Sequence, residues 1–126
     1  MPLVRIDAST DRSPATLRAV ADGVHRALVE AIGIPADDRF QVLTTHPAAE
    51  LIFDQQYLGI DRQDVVCVQI TLVRGRTEQQ KRELYRLIAA HLEAGAGIRP
   101  QDVLVTLTEN DRADWSVGNG QAQLLS

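Results

Sequence analysis

The sequence predicts an α/β fold, with two βαβ units in tandem forming one four-stranded sheet and both helices on one face. Three observations lead there. Val65 to Val73 is an apolar, β-branched run of strand length. Two segments with apolar residues at helical spacing begin behind Ser13-Pro14 and behind Thr77, and each lies between two strand-like runs. The whole order of signals recurs at an offset of 64 residues.

Pro2 to Asp7 alternates and reads as a short strand. Ala8 to Arg12 is a polar turn. Ser13 then supplies an N-cap and Pro14 the first helical position, where the missing N–H costs nothing. Leu17, Val20, Ala21, Val24, Leu28 and Ala31 form one helical face, and Gly33 ends it. After the turn Ile34 to Asp38, Arg39 to Thr44 is a second strand, and a helix of this length suits a parallel crossover. In the second unit, Val65 to Val73 reads as a strand buried on both faces. A helix runs Thr77 to Glu93 behind a capping box of Thr77 and Gln80, and a strand runs Val103 to Thr108. Val4 and Ile6 match Val68 and Ile70, Leu28 matches Leu92, Gly33-Ile34 matches Gly97-Ile98, and Asp38 matches Asp102. The expected organisation is a single domain over 1–126, with unit one at about 2–45, a connection at 46–64, unit two at about 65–108 and a tail at 109–126. Leu51 to Phe53 is a candidate extra strand, and Tyr57 to Gly59 a loop.

The chain of 126 residues suits one domain, and 44% apolar residues argues against disorder. A net charge of −4 with mixed signs gives no nucleic-acid surface and no polybasic membrane patch. No apolar run approaches a membrane span, and no signal peptide is read. A lone cysteine, Cys67, forms no internal disulfide, so a reducing cytoplasmic location is expected. Arginine outnumbers lysine twelve to one, and only Arg74 and Arg76 stand in a positioned pattern.

Those two guanidiniums flank Gly75 where a strand ends and a capped helix begins. Strand carboxyl ends, helix amino termini and arginine forks all favour anions, so a small carboxylate is the expected ligand. Pro2 would carry a secondary amine if Met1 is removed, and an α-amino group titrates near pH ~8, within reach of acid–base work at neutrality. With Met1 retained, Pro2 nitrogen is an amide and has no such role. Asp38 closes the matching turn of the first unit, where aspartate is also simply a good turn former. His25, His46 and His91 share no ligand spacing, so no metal is expected. Cys67, placed mid-strand, reads as core. Trp115, in a tail containing Gly118, Gly120 and Leu124-Leu125, reads as core, interface or pocket wall.

These features together resemble the tautomerase superfamily, and within it the malonate semialdehyde decarboxylase family. The segments that carry the resemblance are Gly33-Ile34-Pro35-Ala36-Asp37-Asp38-Arg39-Phe40-Gln41, Arg74-Gly75-Arg76-Thr77-Glu78-Gln79-Gln80-Lys81, Gly97 to Val103, and Glu109-Asn110-Asp111-Arg112-Ala113-Asp114-Trp115-Ser116. The resemblance implies a homotrimer without cofactor. It implies Pro2 as the amine, Asp38 as the acid, Arg74 and Arg76 on the substrate carboxylate, and Trp115, Val117 and Leu124 on the pocket wall. Three departures stand out: Val117 and Leu124 replace expected aromatic residues, and Gly75 replaces an expected proline. The implied activity is decarboxylation of a small β-keto acid, with Pro2 protonated or as an imine-forming amine. Tautomerisation of a 2-oxo acid or hydration of an unsaturated acid is the alternative, and a noncatalytic trimeric binding protein is the reading if Met1 is retained.

Overall fold

The alternation in the first strand decides how the sheet divides. In the computed structural model, which describes residues 1–125, β1 (Pro2–Ser9) buries Val4, Ile6 and Ala8 and turns Leu3, Arg5 and Asp7 to the opposite face. α1 (Pro14–Ile32) starts where the Ser13 side chain accepts from Thr16 N–H at 3.1 Å, and stops at Gly33. β2 (Gln41–His46), β3 (Val66–Val73), α2 (Glu78–Ala96) and β4 (Val103–Asn110) complete the layers. Both helices hold the expected offset of 64, as do their caps, Ser13 with Thr77 and Gly33 with Gly97.

The sheet order is β2-β1-β3-β4. Each βαβ unit pairs its own strands in parallel, and the units join through the antiparallel pair β1·β3, with Pro2 opposite Leu72 and Val4 opposite Ile70. Both helices cover one face. Val20, Val24 and Leu28 of α1 and Leu84, Ile88 and Leu92 of α2 pack on Val4, Ile6, Val68, Ile70 and Leu72 in one core. The helices meet closely at Gly23, where a Cβ would lie 2.9 Å from Leu92 Cδ1.

Several boundaries differ from expectation. β3 is buried on one face only: Val66, Val68, Ile70 and Leu72 face the helices, while Cys67, Gln69 and Thr71 are half-buried or exposed. The apolar run reads as two-sided because its outward residues Cys67, Gln69 and Thr71 are all uncharged. α2 continues to Ala96, since Gly95 is tolerated within the last turn and Gly97 takes the left-handed conformation that ends it. β2 starts at Gln41 rather than Arg39, whose guanidinium instead bonds Asp22 at 2.6 Å and Gln41 Oε1 at 2.8 Å. Leu51 to Phe53 forms no strand, following a 3-10 turn at Ala48–Glu50. Tyr57–Gly59 is a second such turn. No helix among the described residues is long and apolar enough to cross a membrane.

The open sheet face carries Leu3, Val42 and Leu104, all substantially exposed, among Arg5, Asp7, His46 and Gln69. The covered face carries the stability. Ile88→Ala, which empties a fully buried site between helix and sheet, should cost about 2–5 kcal/mol of unfolding free energy in urea titration.

Candidate active site

The strand directions gather chemistry at one end of the sheet. β1 and β2 run parallel and both begin there, whereas β3 and β4 run antiparallel to them and both finish there. Pro2, the turn before β2, the Arg74 to Arg76 turn and the tail after Asn110 therefore share one corner. Backbone hydrogen bonds close it: Val4 N–H donates to Phe40 O at 3.0 Å, and Arg74 N–H donates to Asn110 O at 2.8 Å.

Asp38 reaches the chain terminus. Its Oδ2 lies 3.4 Å from the Met1 ammonium, and its side chain is only 12% exposed. Its Oδ1 is buried and, among the described residues, accepts no hydrogen bond. The duplicate position is used differently. Asp102 Oδ1 accepts Gln63 N–H at 2.7 Å and Asp64 N–H at 3.2 Å, and Arg99 lies 3.6 Å from Oδ2. Asp102 is thus occupied in holding its turn to the connection, whereas the Asp38 carboxylate faces the amino terminus with acceptor capacity to spare.

The two arginines separate in role. Arg76 is half-buried and folds back, its Nη1 donating to Val73 O at 3.1 Å. Arg74 is exposed and donates from Nε to Asp111 Oδ1 at 2.7 Å. That hydrogen bond, with the charge of Asp111 behind it, raises the Arg74 pKa further above its ordinary value. Gly75 between them takes φ 131°, which a proline ring forbids, so this turn has a shape that a proline turn cannot share. The capping box forms as expected, with Gln80 N–H on Thr77 Oγ1 at 3.1 Å and Thr77 N–H on Gln80 Oε1 at 2.9 Å. It occupies helix-start donors, so the guanidiniums are the groups of this turn best able to meet an anion.

After β4, Asp111 and Asp114 cap each other's backbone and turn the chain over the corner. Trp115 follows, half-buried, its Nε1–H donating to Asn110 Oδ1 at 2.7 Å. A cavity of about 230 Å³ lies there, lined by Met1, Leu3, Phe40, Trp115, Ser116 and Val117. Trp115 and Val117 are therefore together at the terminus. Leu124 is not among these lining residues; its carbonyl accepts from Arg112 Nε at 2.9 Å. Leu3 and Phe40 are the wall residues that sequence reading missed. The available signal was register, since Leu3 follows Pro2 on the outward face and Phe40 stands two residues beyond Asp38.

Two family models, both described as tautomerase enzyme, match residues 38–118 and residues 2–66. The chain belongs to the tautomerase family. Its tautomerase fold aligns with the crystal structure of FG41 malonate semialdehyde decarboxylase inhibited by 3-bromopropiolate, at 43% identity and a TM-score of 0.93, covering 98% of this chain and 94% of that one. The probable tautomerase YrdN of Bacillus subtilis (strain 168) is 38% identical over 126 residues, all of this chain and 98% of its own. A fused 4-OT wild-type symmetric trimer aligns with a TM-score of 0.81 at 25% identity, covering 98% of each chain.

Cys67 lies away from this corner, in the middle of β3 opposite Asp7. Burial raises its thiol pKa, and the Asp7 charge raises it further. A raised pKa leaves less thiolate at a given pH, so alkylation should be slower than in the unfolded chain at pH 8 and should gain speed at higher pH. Asp7→Asn should speed it, as read by iodoacetamide kinetics on the native protein.

Proposed function

We propose that this tautomerase-family enzyme is a cofactor-independent decarboxylase of a small β-keto acid of the malonate semialdehyde kind, acting through Pro2 once Met1 is removed. The observation that carries the reading is the Asp38 carboxylate, largely buried at the chain terminus, with its Oδ1 unpaired among the described residues. A carboxylate so placed stabilises a cation beside it, and the Pro2 amine would be that cation. The flanking arginines push the amine pKa down while Asp38 pushes it up, and the reading requires Asp38 to prevail.

Arg76, with Arg74 released from Asp111, would hold the substrate carboxylate out of the carbonyl plane. The bond between carboxylate and α-carbon breaks, carbon dioxide leaves, and the electron pair passes into the carbonyl as an enolate. The Pro2 ammonium faces the enolate oxygen, where charge grows in the transition state. The enolate carbon then takes up a proton and gives the aldehyde. The Arg74–Asp111 pair is exposed and screened by water, so an arriving carboxylate can displace it. Likeness to the malonate semialdehyde decarboxylase structure supports the same reading.

A homotrimer belongs to this proposal. The sheet leaves its second face open, with Val42 and Leu104 exposed, and three such faces can close around one core. The symmetric trimer of the fused 4-OT structure supports it. A second reading, keto–enol tautomerisation with neutral Pro2 as base, is favoured by the relative named a probable tautomerase. The same residues serve it, with the opposite protonation state of the amine.

Two variants test the assignment. Arg76→Ala should reduce decarboxylation about 30- to 1,000-fold, the loss of one charge-assisted contact of about 2–4 kcal/mol, with native circular dichroism. Near-normal turnover would remove Arg76 from the site. Asp38→Asn should leave stability almost unchanged, lower decarboxylation, and preserve or raise base-type tautomerisation. Equal collapse of both activities would mean that Asp38 acts on substrate or water directly.

A further inference from the structure

The cavity beside the terminus is more apolar and larger than malonate semialdehyde requires. Leu3, Phe40, Trp115 and Val117 line it, with Ser116 contributing a small polar edge and Met1 a further wall. Its volume is about 230 Å³. Malonate semialdehyde carries only a hydrogen on its carbonyl carbon beyond the carboxymethyl group, so it offers nothing to bury there. Met1 is one wall, and its removal, which the proposed activity needs, would open the cavity on that side.

The wall is held in place. Trp115 is fixed through Nε1–H to Asn110 Oδ1, and Asn110 O accepts Arg74 N–H. Phe40 O accepts Val4 N–H, which ties the opposite wall to β1. The apolar cavity and the arginine turn thus flank one terminus, each anchored to a strand end. A ligand with a carboxylate at one end and an apolar group at the other matches that division of the corner.

We infer that the substrate is a 3-oxo acid bearing an apolar substituent of a few carbons on its keto carbon, and that Val117 sets the room for it. The inference rests on the proposed decarboxylase site for its carboxylate anchor. The substituted acid would react as before: the bond from carboxylate to α-carbon breaks, carbon dioxide departs, and protonation of the enolate carbon gives a ketone instead of an aldehyde. The substituent stays unreacted in the cavity and contributes by burial.

The sole tryptophan lines the cavity, so its fluorescence reports occupancy without turnover. The test titrates the full chain with propanoate, butanoate and hexanoate, and assays decarboxylation of malonate semialdehyde, 3-oxobutanoate and 3-oxohexanoate alongside. Affinity should rise about three- to fourfold per methylene, and kcat/KM should favour the substituted acids. Val117→Phe, folded by circular dichroism, should flatten the affinity series. A flat series in the unaltered protein, or a steep one that Val117→Phe leaves unchanged, would overturn the inference. Turnover of malonate semialdehyde with a flat series would leave the decarboxylase standing and remove only the substituent. A steep series with no decarboxylation of any 3-oxo acid would remove the decarboxylase and retain the ligand class.

Discussion

Everything at the corner depends on the antiparallel pairing of β1 with β3. Pro2 lies opposite Leu72, so the start of the chain is clamped against the end of the strand that delivers Arg74 and Arg76. On its other side, β1 pairs in parallel with β2 from Val4 and Gln41 onward, which puts the preceding turn and Asp38 beside the same terminus. Strand ends are ordinarily frayed and wet. Here β1 is paired on both sides from Val4 onward and Pro2 itself is held against β3, and in the chain with Met1 in place Pro2 is buried. Fixed geometry at the point where charge develops is what allows a few polar groups to lower a barrier without reorganising.

The duplication shows how one framework places equivalent turn residues in different surroundings. The two units share helix offsets, caps and turn aspartates, yet the partners of those aspartates differ. Asp102 receives two backbone amides from the connection and becomes part of the scaffold. Asp38 has the amino terminus before it instead. The turns after the first strands diverge likewise: Arg12 points to Asp64, with its Nη2 3.2 Å from Oδ2, whereas Arg76 is held at the corner by the carbonyl of Val73. A repeated framework thus keeps its core chemistry and differs in what its turns face.

Much of this was legible in the sequence because it rests on local chemistry. Helix caps at Ser13 and Thr77, stops at Gly33 and Gly97, and the 64-residue offset are written in residue types whose backbone preferences act within a few positions. The association of Pro2, Asp38 and the arginine turn follows once the strands are paired. Other features depend on partners distant in sequence. Nothing local distinguishes Asp38 from Asp102, since the difference lies in which segment each turn faces. Arg74 reads as a free cation until the tail folds back and brings Asp111 to it. β3 reads as buried twice over because Cys67 and Thr71 are compatible with either face, and only the one-sided placement of the helices decides. Leu3 and Phe40 reach the cavity through register, which composition does not encode.

The proposed decarboxylation needs an amine at Pro2 held protonated by Asp38 against the opposing charge of two arginines. Its most direct test is a pH titration of the Pro2 nitrogen by NMR in protein labelled with 15N-proline, after intact mass has shown that Met1 is gone. The amine should titrate above neutrality, with decarboxylation present below that pKa and lost as pH rises through it. An amine that titrates below neutrality, or a mature chain that keeps Met1 and so has no amine at Pro2, would contradict it.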